Sequence, residues 1–212
     1  MSDHDDPVTA QKTDYRDVRD VGVDEGKRER LYDAQTECCV MWTNRDGWPI
    51  GVMHRFVWRD ERFWVTCTAE RLRVPALRAR PRSCVVVSSE GTWLGGDITT
   101  TAATMATVRD DAETKAWFFP ALAERQRRGD DAAARAEFLR RLDTPTRVVI
   151  ELAPVRWITY DGNRLEAALR RRVPRPPGQA LAQPDDPARR RRDDDVLMRR
   201  GAARTGRGWR DA

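Results

Sequence analysis

The sequence predicts a mainly β domain of six antiparallel strands with flanking helices, and three observations support this fold class. Apolar and polar residues alternate with a period of two over several short stretches, which is typical of strands with one buried face. Short turns separate the first three stretches, at the spacing of antiparallel hairpins. Composition changes at both ends of the chain, where apolar periodicity is lost. Antiparallel strands of this number close most readily into a small barrel.

The first half of the chain contains the clearest strand signals. A short helix is predicted over residues 25–34, and strands are predicted over residues 37–43, 49–58 and 62–68. Residues 44–47 and 59–61 are the turns between these strands. In the second strand one face is predicted to carry Ile50, Val52, His54, Phe56 and Trp58. The three strands therefore form an antiparallel meander.

The second half mixes helices with strands. Residues 69–80 break the strand period, and Pro75 predicts that a regular helix begins close to it. Strands are predicted over 82–89, 98–108 and 147–158, the last interrupted by Pro154. Between them, residues 110–128 and 130–142 have helical spacing, and Pro120 is expected to kink or restart the first of these helices.

The two ends of the chain are predicted to lie outside the folded domain. Residues 1–27 are an acidic arm, and residues 163–212 are rich in Arg and Pro; both are expected to be disordered. The domain is therefore predicted over residues 28–162. Residues 161–212 hold 14 Arg and 8 Asp or Glu, so the net charge of +5 comes from this end.

Composition excludes some classes of protein and sets expectations for others. The chain has two His, and its four Cys have no familiar metal-ligand spacing, so no metal site is predicted. No apolar run is long enough to cross a membrane, and no signal-peptide pattern is visible, so a cytoplasmic protein is expected. The basic tail lacks a ladder of aromatic residues for stacking, and nucleic-acid binding is not expected.

The ordered combination of motifs in residues 46–87 resembles a known family. The segments are DGWP (46–49), RFVWRDERFWVTCT (55–68) and ERLRVPALRARPRSCVVV (70–87). This order resembles the FMN-binding split β-barrel superfamily, the pyridoxamine 5′-phosphate oxidase-like proteins, including its F420-dependent branch. The resemblance implies a homodimer that holds a flavin between its subunits. It also implies hydride transfer between FMN and a small organic substrate.

A phosphate needs guanidinium and hydroxyl groups around it, and the end of the third strand supplies both. Thr66, Cys67 and Thr68 end this strand, and Arg71 and Arg73 follow at the start of the next helix. The resemblance assigns the phosphate to the position that Arg73 holds. It also implies that the flavin ring lies against the second strand, at Val52, Met53, His54 and Arg55.

Three alternatives stay open at the level of the sequence. In the first alternative the cofactor is F420 rather than FMN. It stays open because a phosphate site does not distinguish the two cofactors. The second is a non-enzymatic split barrel that only binds a ligand, since Met53 and Arg55 stand where family members commonly have Pro and an aromatic residue. The third is a nucleic-acid-associated protein acting through its tail. No catalytic side chain is predicted.

Overall fold

A computed structural model describes residues 21–95, 97–126 and 131–171 of the 212-residue chain. Five helices and six strands lie within these ranges. In chain order they are α1 (Glu25–Ala34), β1 (Glu37–Thr43), β2 (Pro49–Arg59), β3 (Arg62–Thr68), α2 (Arg73–Ala79), β4 (Arg82–Ser88), β5 (Ile98–Arg109), α3 (Ala112–Gln126), α4 (Ala132–Leu142), β6 (Arg147–Asp161) and α5 (Gly162–Arg171).

The six strands form a closed antiparallel barrel in the order β1-β2-β3-β6-β5-β4. This confirms the predicted fold class. β1 and β3 have the predicted bounds, and the other four strands differ from prediction by three residues or fewer. The β2–β3 turn places Asp60 and Glu61 at φ values of 53° and 56°, as a two-residue hairpin turn requires.

Strand β6 continues through Pro154, where the sequence predicts an interruption. Ala103 of β5 is opposite Arg156, whereas Thr104 is opposite Pro154, so the register shifts by one residue at Val155 and forms a β-bulge. Proline has no amide hydrogen for the ladder, and bulges are one of the few places in a sheet that tolerate it. The bulge therefore lets β6 run on to Asp161.

The barrel interior is filled by apolar side chains from all six strands. An aromatic group dominates one end, where Tyr32 of α1 lies 5.0 Å from Phe63, ring centre to ring centre, and 4.7 Å from Trp58. Tyr32 is fully buried, and its hydroxyl donates to Thr100 at 3.0 Å. Helix α1 therefore caps the barrel with an aromatic plug whose polar atom is satisfied.

A second apolar cluster lies outside the barrel, under α3 and α4. Phe118, Phe119 and Leu122 of α3 pack against Trp64 of β3 and Val149 of β6. Helix α3 is continuous through Pro120, contrary to the kink or restart expected from the sequence. Buried residues on both sides of the proline hold the helix on the sheet, which compensates for one missing backbone hydrogen bond.

The described structure continues on both sides of the predicted domain, residues 28–162. Val21 and Val23 are buried, and the backbone amide of Asp161 donates to the carbonyl of Val21 at 2.7 Å. Lys27 forms an ion pair with the fully buried Asp161 carboxylate. Helix α5 begins at Gly162, where the tail was expected to start. The predictions for residues 1–20 and 172–212 lie outside the described residues. Within the described ranges, no helix has both the length and the apolar character needed to cross a membrane.

Candidate functional site

The site lies where strands β2 and β3 separate. The two strands pair only from Phe56–Val65 to Arg59–Arg62. Beyond Phe56, β2 pairs with β1, and beyond Val65, β3 pairs with β6. A cavity of about 460 Å³ opens at this point. Its lining includes eight of the nine predicted site residues, namely Met53, His54, Arg55, Thr66, Cys67, Thr68, Arg71 and Arg73.

The ninth, Val52, does not line this cavity. It packs against the apolar cluster of the barrel interior. Side chains alternate across a strand. Val52 and Met53, two of the four consecutive β2 residues predicted to contact the ring, therefore point to opposite faces. Met53 points outward and is 58% exposed. The structure therefore brings eight of the residues together without assigning them a role.

His54 and Arg73 form a buried polar pair on the cavity wall. Nη1 of Arg73 lies 2.6 Å from Nε2 of His54, and the guanidinium carbon lies 5.5 Å from the centre of the Trp42 ring. Burial, and secondarily the charge of Arg73, lowers the pKa of His54 to about 4. His54 is therefore neutral at pH 7, and its Nε2 accepts a hydrogen bond from Arg73. This fixes the direction of the guanidinium.

The thiol of Cys67 lies within range of three guanidinium groups. Burial raises the pKa of Cys67, and the positive charges of Arg73, Arg147 and Arg71 act in the opposite direction. The cysteine therefore remains a thiol, buried at the base of the cavity. Its surroundings show that cations from α2 and β6 converge on one place. The four cysteines Cys38, Cys39, Cys67 and Cys84 all lie in strands and are free.

Arg147 is a cavity residue that the sequence analysis missed. It begins β6 and is the register partner of Thr68, which places it across the strand pair from the end of β3. Its Nε is buried, with no hydrogen-bond partner within the described residues. The nearest sequence signal is an Arg at the first position of a strand, and only the β3–β6 pairing connects it to the site.

The two threonines at the end of β3 differ in what their hydroxyls can do. Thr66 donates its hydroxyl hydrogen to the carbonyl of Val148 at 2.8 Å. Thr68 makes no side-chain hydrogen bond within the described part of the chain, so its hydroxyl is available to a ligand. The predicted pair of hydroxyl donors is thus reduced to Thr68.

Helices α3 and α4 supply the apolar wall of the cavity. Leu122 of α3 and Phe138 and Leu142 of α4 belong to the same lining as the arginines. The sequence predicted these helices but gave them no part in the site. The cavity therefore combines a cationic side with an apolar side, and such a lining suits an anionic group attached to an apolar body.

Arg55 belongs to a second, neighbouring cavity as well. That cavity has a volume of about 630 Å³ and shares Met53 and Arg55 with the first. Nη1 of Arg55 donates to Oε1 of Gln126 at 2.7 Å, and Nη2 lies 3.3 Å from the Glu37 carboxylate. The charge of Arg55 is therefore compensated by Glu37, and its guanidinium links β2 to the end of α3.

Three solved structures have a similar fold. The chain aligns with a conserved hypothetical protein of Mycobacterium tuberculosis at a TM-score of 0.61 and 14% identity, over 76% of this chain and 96% of that one. A Listeria innocua protein named as a pyridoxamine 5′-phosphate oxidase aligns at 0.50 and 16%, over 64% and 96%. A Bacteroides thetaiotaomicron protein named as a 5-nitroimidazole antibiotic resistance protein aligns at 0.50 and 13%, over 64% and 82%.

The sequence itself matches no family model and no curated protein. At these identities the likeness is one of fold. The fold that the motifs of residues 46–87 suggested, that of the pyridoxamine 5′-phosphate oxidase-like split barrels, is confirmed.

Proposed function

We propose that this protein is a flavin-dependent oxidoreductase of the pyridoxamine 5′-phosphate oxidase-like type, which binds FMN and moves a hydride between it and a small organic substrate. One observation carries the proposal. Arg71, Arg73 and Thr68 share a cavity whose described lining contains no carboxylate. A cavity lined in this way favours a bound anion, and a flavin phosphate is the anion that the fold implies.

The chain's own residues fit the phosphate end of such a cofactor. Arg73 is held in one direction by His54 and offers its remaining N–H groups to an oxygen of the ligand. Arg71 is exposed and adds charge at the mouth of the cavity. Thr68 offers a hydroxyl. A bound flavin supplies the hydride chemistry, while the protein supplies binding, orientation and electrostatics.

The other end of the cofactor is assigned to the outer side of β2. Met53 offers an exposed apolar surface there, where the cavity opens toward its neighbour. Met53 and Ile158 are among the large apolar side chains left exposed on the barrel, which favours a second copy of the chain covering them, as the family resemblance implies. Sedimentation of the full chain would test the homodimer.

Titration of the full-length protein with FMN tests the proposal. Quenching of flavin fluorescence and a shift of the visible absorption bands are expected on binding. Arg73→Glu is expected to weaken FMN binding at least about a hundredfold, because it replaces charge-assisted hydrogen bonds with repulsion. Arg78→Glu, on the same helix but outside the cavity lining, is the control. Equal affinities in the two variants would contradict the phosphate assignment.

The same experiment separates the alternatives. The cations would also hold the phosphate of F420, so reduced F420 is titrated in parallel. Saturable binding of F420 with none of FMN would replace the cofactor and keep the fold and reaction class. Binding of either cofactor with no oxidation of NADPH or of the reduced cofactor, with any acceptor tried, would favour a non-enzymatic binding protein.

A further inference from the structure

Arg147 brings a third guanidinium to the cavity, from strand β6. It lies at the start of β6, next to the end of β3, and is half-buried. A buried guanidinium N–H normally has an acceptor, yet none of the described groups accepts from its Nε. An anion in the cavity would supply the acceptor that this donor lacks among the described residues.

The charges around this cavity do not cancel. Among its lining residues Arg55 is compensated by Glu37, which leaves Arg71, Arg73 and Arg147. His54 is uncharged at pH 7 because its pKa is about 4. No Asp or Glu belongs to the described lining. Three cations facing one small volume suit an anion with more than one negative charge.

The apolar part of the described lining offers no polar partners. Leu122, Phe138 and Leu142 form it, and Leu122 and Leu142 are almost completely buried. A ligand whose phosphate carried a long anionic or nucleotide extension would have to place that extension against apolar side chains. Desolvating charged groups there without partners is unfavourable.

We propose that Arg147 is a phosphate-binding residue and that this site is built for the dianion of a terminal phosphomonoester. The inference rests on the proposed function and deepens it. It selects FMN, whose phosphate ends the molecule, over cofactors whose phosphate is extended, as an anhydride in FAD or as a diester in F420. The third cation and the apolar wall together are the specificity determinants.

The second ionisation of the ligand gives this proposal a pH signature. A phosphomonoester becomes a dianion with a pKa near 6, so at pH 5 only about a tenth of it is in that form. The titratable groups that face it are His54 from β2 and Cys67 from β3, and the charged ones are Arg55, Arg71, Arg73 and Arg147. The pKa of His54 is about 4 and that of Cys67 is raised, so both groups are mostly uncharged between pH 5 and 7.5.

The experiment measures the affinities of the full-length protein for FMN, riboflavin, FAD and F420, by fluorescence, at pH 7.5 and at pH 5. FMN is expected to bind most tightly at pH 7.5 and to lose about tenfold at pH 5. Riboflavin has the same ring without the phosphate, and its weaker binding is expected to change little with pH.

Arg147→Gln is expected to weaken FMN binding roughly tenfold to a hundredfold, to leave riboflavin binding within about threefold, and to flatten the pH dependence for FMN. Arg147→Lys is expected to restore part of the affinity, and Arg78→Gln is the surface control. Retained riboflavin binding in Arg147→Gln shows that the fold and the ring site are intact. If Arg147→Gln does not fold, Arg147→Lys and the pH series on the unaltered protein still decide the matter.

Five outcomes would overturn the inference. FAD binding as tightly as FMN would remove the terminal-phosphate requirement. An unchanged FMN affinity in Arg147→Gln would remove the residue from the site, and FMN affinity equal at both pH values would remove the dianion. Binding of F420 without FMN would refute this inference and leave an oxidoreductase on the same fold. If neither flavins nor F420 bind, the proposed function fails, and this inference fails with it.

Discussion

The substitution His54→Gln keeps a hydrogen-bond acceptor for Arg73 but removes the imidazole that titrates. His54 is 8% exposed and lies 2.6 Å from the arginine nitrogen, so a proton on its Nε2 would replace a hydrogen bond with repulsion between two cations. The folded protein therefore resists protonation of His54, whereas the unfolded chain does not. His54→Gln is predicted to make the free energy of unfolding less dependent on pH.

The magnitude follows from the two pKa values of His54. The pKa falls from 6.5, its ordinary value, to about 4 in the folded protein. Between these values the unfolded chain binds more protons, so stability falls as the pH decreases. The contribution is complete above pH 6.5 and is lost toward pH 4. At about 1.4 kcal/mol for each unit of pKa, His54 should lower the free energy of unfolding by about 2.5 kcal/mol between pH 7.5 and 4.5.

Urea denaturation of the full-length protein at several pH values between 4.5 and 7.5 measures this effect. His4 is present in both proteins, so its titration cancels in the comparison. The unaltered protein should lose about 2.5 kcal/mol more than His54→Gln over this range. Parallel pH profiles would show that His54 accepts a proton in the folded protein, and the neutral His54–Arg73 pair would then be wrong.

Two further predictions concern the stability of the barrel. Lys27→Met should lower the free energy of unfolding by about 3 kcal/mol, because it leaves the buried Asp161 carboxylate without its ammonium partner. Lys115→Met, which breaks an ion pair with a largely exposed partner, should lower it by less than about 1 kcal/mol. Equal losses in urea denaturation would refute the distinction between the two ion pairs. Phe63→Ala should lower the free energy of unfolding by about 3–5 kcal/mol, because the fully buried Phe63 ring contacts Tyr32. Trp48→Ala, at a 68% exposed position, should change it by less than about 0.5 kcal/mol. A similar loss of stability in both variants would contradict the described core.

The strands were predictable because their alternation is strict and their turns are short. Phe63, Val65 and Cys67 alternate with Trp64 and Thr66, and the structure buries the first three inside the barrel. Most of the predicted site residues lie close together for a similar reason. The end of β3 and the start of α2 are adjacent in the sequence, so local order alone brings Thr68 and Arg73 into one cavity.

The features that the sequence analysis missed depend on contacts between distant segments. Arg147 joins the cavity only through the pairing of β6 with β3. Val21 and Val23 are two apolar residues in an acidic stretch, and only the carboxyl end of β6 explains their burial. The predictions at Pro120 and Pro154 considered only the local effect of proline on the backbone. Buried helix residues compensate for this effect at Pro120, and a β-bulge does so at Pro154.

The β-bulge at Val155 changes which residues of β6 face inward. Val148, Ile150 and Leu152 point into the barrel from even-numbered positions, and beyond the bulge Trp157 does so from an odd-numbered one. If all of these residues were kept and β6 alternated regularly with no bulge, Trp157 would turn outward and its charged neighbour Arg156 would turn inside. The one extra residue therefore sets the direction of the β6 side chains that follow it, although the bulge carries no residue of the cavity.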